Sequence, residues 1–331
     1  MARQVLYGLL VNYTKNLGDD IQSLAAAQFL PRIDFFIDRD NPRLPRSIRR
    51  ELEGNTRVKV IMNGWYTLNP LSWMPDPLLK PLIISFHVHP PIANIFLGRH
   101  NVSEYLKYFE PVGARDIHTK KLLIKHNIKS YFSGCLSITL DYKYKFNEKC
   151  KYILVSDLDK NIVYLVESIS PGIEVISISP NLFISVGESI LPKSTKRKIK
   201  RILGETLYSL ADNIMFNFFD AHKAQVINPI NRLRLAEKYI TLIAQSKLVI
   251  TSRLHTALPA LSFGTPVIFI NDNLKDPRFA GYMQFFYAFT PEGFVREVKK
   301  NPSLLLIDQI PNENLLNKLK EKLKNMVKSF I

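Results

Sequence analysis

Residues 247–270 read KLVITSRLHTALPALSFGTPVIFI. Lys247 to Thr251 has the apolar content of a buried strand, and Pro266 to Ile270 has it again. Between them, Thr251-Ser252 supplies helix-capping side chains, and Leu254, Leu258 and Leu261 recur at helical spacing. Pro259 lies near enough to the helix start to kink the helix without abolishing it. Strand, helix and strand joined this tightly form the unit of a parallel α/β sheet. In such sheets ligands bind beyond the carboxyl ends of strands, at helix N-termini. The spacing therefore delivers Arg253 and His255 to a cleft rim, at the positive end of a helix dipole. Arg suits a carboxylate or phosphate because its planar fork binds two oxygens at once. His can donate to the same anion or move a proton near neutral pH. A capping ion pair with a satisfied rim histidine fits the same position, and position alone leaves both readings open.

The pattern extends along the chain. Strands are expected at Gln4–Val11, Val58–Met62, Leu82–Phe86, Pro111–Ala114 and Lys129–Phe132, with helices after Asn16, over Glu104–Phe109 and over Asp116–His126. A polar, aperiodic stretch, Asp141 to Lys151, marks a boundary. Beyond it come strands Tyr152–Ser156 and Ile173–Ile178, a helix Asp159–Ser168, a helical region within Lys196–Phe219, a strand Ala224–Asn228 and a helix Leu233–Ser246. Two alternating series predict an α/β protein of two Rossmann-like domains facing a cleft, residues 1–145 and 146–331. No internal repeat is evident.

Composition narrows the class. The 331 residues are 46% hydrophobic and 22% charged, as in a globular protein. No apolar run of about 18 residues suggests a membrane-spanning helix. The N-terminal MARQVLYGLLVNY reads as a strand and not as a signal peptide. Cys135 and Cys150 form no metal or disulfide framework, so a reduced, cytoplasmic protein is expected. The net charge of +16 is compatible with nucleic acid, an anionic membrane surface or anionic small substrates. Aromatic residues fall in core patterns and not between basic residues, which argues against nucleic acid. Basic density peaks in Lys193–Arg201 and in the C-terminal NKLKEKLKNMVKSFI. The latter is an amphipathic helix with Leu315, Leu316, Leu319, Leu323, Met326 and Val327 on one face. It is expected to pack back on the N-terminal domain, with its lysines in water or beside the inner face of an anionic membrane.

Other strand-to-helix junctions carry candidate residues. In NLGDD, Asn16 can cap, Gly18 permits a tight turn, and Asp19 can bind sugar hydroxyls or accept a proton; two acids at a helix start also simply favour the helix. In PVGARDIHTKKLL, Asp116 can cap, whereas Arg115 arrives at the end of a buried strand and needs a partner. The stretch Tyr131 to Leu140 looks structural, with Cys135 a buried thiol. His87 and His89 follow a strand without the companion cluster a metal site needs, so no metal is expected. Lys275, after the strand Pro266–Ile270, is placed to reach an anion held by Arg253 and His255.

Five stretches, NLGDD, MNGW at 62–65, GARDIHT at 113–119, FSGCLSITL at 132–140 and VITSRLHTALPALSFGTPVIFI at 249–270, together resemble the polysaccharide pyruvyl transferase family. The family often has Cys where this chain has Ala114, a departure expected to be tolerated. The resemblance implies an architecture similar to the GT-B glycosyltransferases. It also implies transfer of the enolpyruvyl unit of phosphoenolpyruvate to two hydroxyls of a sugar in a glycan, lipid-linked or not, with release of phosphate. It implies Arg253, His255 and Lys275 as phosphoenolpyruvate ligands, and Asn16 and Asp19 on the acceptor side; the residues themselves add Arg115 to the donor side and His87 to the acceptor side. His255 is the candidate proton donor and Asp19 the candidate base, with no cofactor. The competing reading is a nucleotide-sugar-dependent glycosyltransferase on the same architecture. Many retaining enzymes of that type carry two glutamates eight apart, whereas Glu292 and Glu297 here are five apart.

Overall fold

The computed structural model describes residues 5–14, 16–52, 56–66, 70–71, 73–146, 152–180 and 228–331. The Lys193–Arg201 basic run, the Lys196–Phe219 helical region, most of the Ala224–Asn228 strand and Cys150 lie outside them. The N-terminal series forms strands β1 (Val5–Val11), β2 (Phe35–Asp38), β3 (Arg57–Trp65), β4 (Leu79–His87), β5 (Val112–Ala114) and β6 (Ser130–Phe132). Its helices are α1 (Leu17–Ala27), α2 (Arg46–Glu51), α3 (Ala93–Leu97), α4 (His100–Tyr108) and α5 (Ile117–Lys125). The C-terminal series forms β7 (Tyr152–Ser156), β8 (Glu174–Ile178), β9 (Leu248–Thr251), β10 (Val267–Ile270) and β11 (Tyr287–Phe289). Its helices are α6 (Lys160–Ile169), α7 (Pro229–Gln245), α8 (Leu254–Ser262), α9 (Pro291–Lys300) and α10 (Glu313–Phe330).

Each series makes its own sheet, ordered β2-β1-β3-β4-β5-β6 and β11-β10-β9-β7-β8. Every pairing is parallel. The central strands β7, β9 and β10 are buried at every residue, as a sheet covered on both faces requires. Both sheets follow one plan: the second strand lies to one side of the first and the third to the other. The strand order thus reverses between β1 and β3, and again between β7 and β9. Crevices open at the carboxyl ends of strands where the order reverses. Both reversals open on one cleft, and the expected two Rossmann-like units are what the chain forms.

Helix α1 joins the units. Leu17, Ile21 and Leu24 share one apolar cluster with Tyr239, Ile240 and Ile243 of α7 and with Ala257 and Leu261 of α8. Across this interface Arg232 of α7 donates to both carboxylate oxygens of Asp20, at 2.9 and 2.7 Å, and to the Thr14 carbonyl at 2.7 Å. Burial lifts the Asp20 carboxyl to about 6 even against Arg232, so the ion pair holds above that pH.

Helix α10 buries Leu316, Lys320, Leu323 and Val327, with Leu319 and Met326 partly covered, whereas Leu315 is exposed. The expected apolar stripe is therefore displaced at its start. It also contains a lysine, because Lys320 donates to the Ser262 carbonyl at 2.8 Å and pairs with Asp141 at 3.0 Å. At the far end Lys59 of β3 donates to the carbonyls of Phe330 and Ile331, at 2.6 and 3.0 Å. Among the described residues no helix is long and apolar enough to cross a membrane.

Replacing Arg232 with Ala leaves the buried Asp20 carboxyl without its partner across the interface. We expect a loss of about 3 kcal/mol at neutral pH, read by denaturant unfolding. An unchanged midpoint would show that the pair contributes nothing.

Candidate active site

The cleft has a volume of about 490 Å³. Its N-terminal wall carries Asn16 from the loop after β1, Asp19 from the first turn of α1, Trp65 from β3, His87 and His89 from β4 and beyond, and Arg115 after β5. Its C-terminal wall carries Asp157 after β7, Arg253 and His255 after β9, and Asn271 and Arg278 after β10. All but one of the residues singled out from the sequence meet here. Lys275 does not line the cleft; it is exposed, and Arg278, three residues on, occupies the wall instead.

The two loops touch. Asn16 caps α1, its Oδ1 accepting from Gly18 N at 2.9 Å, and this presents Gly18 flat against His255. A Cβ on Gly18 would come within 2.8 Å of His255 Cβ and 3.0 Å of its Nδ1. Glycine is needed for close approach and not for a left-handed backbone. Arg253 is the N-cap of α8 and offers the first turn no side-chain acceptor. Its backbone N donates to Thr251 Oγ1 and its guanidinium Nε donates to Asp157, whose backbone is left-handed at φ 57°. The first turn of α8 and a half-exposed guanidinium therefore face the same space.

Each imidazole has its own setting. His87 Nδ1 lies 2.6 Å from Asp116 Oδ2 and 3.1 Å from Thr119 Oγ1. Asp116 caps α5 by accepting from Thr119 N at 2.7 Å. Its carboxyl stays below the usual range, because the His87 hydrogen bond and nearby positive charge outweigh burial. An ionised Asp116 assigns the His87 proton to Nδ1 and leaves the Nε2 lone pair free. Burial and then Arg115 push His87 down to about 4, against the pull of Asp116. His255 is pushed further, to about 3, by burial and Arg115, with Asp19 pulling the other way. Its Nε2 is buried and has no hydrogen-bond partner among the described residues. Both rings are neutral at pH 7.

Asp19 differs from the base the sequence reading makes of it. Its Oδ2 accepts from Thr14 at 2.6 Å, its Oδ1 accepts from Gln22 at 3.1 Å, and Arg39 lies 3.2 Å away. Burial raises its pKa, but Arg39, Thr14, His255 and Arg115 together bring it below the ordinary value. Asp19 is a negative charge held by Arg39, with each of its oxygens accepting one hydrogen bond. Arg115 is buried, and its Nε has no hydrogen-bond partner; the nearest Asp116 oxygen is 4.0 Å away.

Trp65, Asp157, Asn271 and Arg278 were not singled out from the sequence. Arg278 is held by Asp276 at 2.7 Å and lies over the Phe279 ring. Trp65 meets His89 edge to face, with centroids 6.0 Å apart. Asp157 directly follows the strand YILVS, the same signal that picked out Arg115 after VGA. Among the described residues no group of three His, Cys, Asp or Glu is placed to hold a metal.

The cleft between two parallel α/β units thus has arginines and a helix N-terminus on one side and the His87–Asp116 pair on the other. Residues 16–273 match the family described as polysaccharide pyruvyl transferase, and the chain belongs to that family. It is accordingly a transferase that modifies a polysaccharide, with a glycan as acceptor. No curated protein matches the sequence. Solved structures similar to it include the UDP-GlcNAc 2-epimerase of Methanocaldococcus jannaschii in complex with UDP-GlcNAc and UDP. That enzyme is 14% identical over 97% of this chain and 100% of its own, with a TM-score of 0.42. A wall teichoic acid polymerase is 10% identical over 99% of this chain and 89% of its own, at 0.40. The ADP-heptose LPS heptosyltransferase II of E. coli is 12% identical over 92% and 98%, at 0.31.

Two outcomes follow from this geometry. Gly18→Ala, by helix propensity alone, would add roughly 0.5–1 kcal/mol; the His255 contact predicts a loss of stability and of activity instead, measured by unfolding and turnover. The two imidazoles also set an acid limb. Their folded values of about 4 and about 3 lie below the ordinary 6.5, so the unfolded chain binds more protons between these pH values. Stability is full above 6.5 and falls as pH drops towards 4. His255→Gln should flatten that limb in unfolding measured across the window.

Proposed function

We propose that this transferase moves the enolpyruvyl unit of phosphoenolpyruvate onto two hydroxyls of one sugar, forming a pyruvate ketal and releasing phosphate. The observation that supports it best is the meeting of Arg115, Arg253 and the open N-terminus of α8 around the unpaired Nε2 of His255. Phosphoenolpyruvate carries a phosphate and a carboxylate on three carbons, and separated guanidiniums with a helix N-terminus match that charge. Arg278 takes the outer position that the sequence reading gave to Lys275.

In the reaction, C3 gains a proton as C2 develops positive charge. His255 is the group at hand to give that proton. A sugar hydroxyl loses its proton to His87 Nε2 as its oxygen attacks C2, and Asp116 stabilises the imidazolium formed. Asn16 orients the acceptor, while the fixed charge of Asp19 favours the cationic carbon. Phosphate leaves with its C–O electron pair, and the second hydroxyl closes the ring. No cofactor is invoked. We place this work in the cytoplasm; the exposed Lys318, Lys322 and Lys328 of α10 are where an anionic membrane surface would be met.

Mass spectrometry of glycans incubated with enzyme and phosphoenolpyruvate should show the gain of one pyruvyl unit. Arg253→Ala and His255→Ala should each lower turnover by about 10²-fold or more. Thermal stability should rise with phosphoenolpyruvate and not with nucleotide sugars. The reverse ranking would favour a nucleotide-sugar glycosyltransferase.

A further inference from the structure

The cleft holds one guanidinium, Arg115, whose Nε has no hydrogen-bond partner among the described residues. Asp19, on α1, is matched by Arg39 from beyond β2 at 3.2 Å. Asp157, after β7, is matched by Arg253. Arg278, after β10, is matched by Asp276 at 2.7 Å. Asp116 is taken by His87 at 2.6 Å and comes no nearer than 4.0 Å to Arg115. Among the described residues of the cleft, Arg115 is thus a buried guanidinium with no carboxylate at hydrogen-bonding distance. His255 lines the same cleft, partly exposed, with its Nε2 covered and unpaired among the described residues. A guanidinium Nε without a hydrogen-bond partner and an uncharged imidazole therefore share one cleft.

An anion that pairs with Arg115 offsets the positive charge that this guanidinium places near His255, and low dielectric magnifies the change. The ring is thereby moved towards its charged form. We infer that donor binding and protonation of His255 are one coupled event, in which the anion pairing with Arg115 draws a solvent proton onto the imidazole. The inference rests on the donor proposed above. It resolves a difficulty in that reaction, because burial and Arg115 hold the ring at about 3. A proton donor that is bare at neutral pH must be loaded as its substrate arrives.

The protons balance. One enters from solvent with the donor and passes from His255 Nε2 to C3, where the C2–C3 π electrons form the new C–H bond. The two acceptor hydroxyls give up two more. One of these leaves on the phosphate, and the other returns to solvent on product release.

Calorimetry of phosphoenolpyruvate binding at about pH 7, in two buffers of unequal ionisation enthalpy, counts the protons taken up. His255→Gln supplies the baseline due to the donor's own ionisation. We expect the wild type to exceed that baseline by roughly half a proton or more, and His87→Gln to keep the excess. Equal uptake by wild type and His255→Gln would overturn the inference and leave the proposed donor standing. If His255→Gln fails to fold, imidazole ¹⁵N shifts of the wild type decide. A ring that becomes cationic on binding supports coupling; one that stays neutral ends it. Failure of the wild type to bind phosphoenolpyruvate would instead refute the donor. Sulfate, a dianion that does not titrate near neutrality, would then test the coupling by the same comparison.

Discussion

Two helix starts meet with only a glycine between them, and the site depends on that contact. Gly18 at the head of α1 lies against His255 at the head of α8, closer than any side chain would allow. The contact exists because α1 belongs structurally to both units. Its apolar face is buried against α7 and α8, and its Asp20 is gripped by Arg232. With α1 fixed in this way, the strand reversals of both sheets open on one cleft. Loops from opposite halves of the chain can then combine: Asn16 and Asp19 from one, Arg253 and His255 from the other.

Electrostatics divides the work inside that cleft. Asp19 and Asp157 each have an arginine, and Asp116 serves to orient His87. Among the described residues, these assignments leave the Arg115 Nε without a hydrogen bond and both imidazoles uncharged. In the proposed reaction, an anion on Arg115 and a proton on His255 arrive together. Neutral rings also explain why two histidines and several arginines can share a buried space without prohibitive repulsion.

Much of this was legible in the sequence because a strand-to-helix junction in a parallel sheet has a fixed destination. Arg253, His255, Arg115, Asn16 and Asp19 all occupy such junctions, and all line the cleft. The strands VLYGLLV and YILVS announce themselves by apolar continuity, whereas β2 (FFID) and β11 (YAF) are too short to carry a period. Lys275 and Arg278 show where the reading lost resolution. After β10 the chain turns through NDNLKDPRF, and a loop without periodicity does not say which of its cations points inward. The role of Asp19 was illegible for another reason. Its network is completed by Arg39, twenty residues away and just past a strand that sequence pattern did not reveal. Lys320 makes the same point on α10: helical period places it on the buried face, and only the Ser262 carbonyl and Asp141 explain how a lysine lives there.

The most direct test of the account is a crystal structure of the enzyme with phosphoenolpyruvate bound. The account predicts the carboxylate or phosphate on Arg115, the other anionic group on Arg253 at the head of α8, and C3 about 3–3.5 Å from His255 Nε2. Phosphoenolpyruvate bound with C3 turned away from His255, or bound outside this cleft, would contradict it.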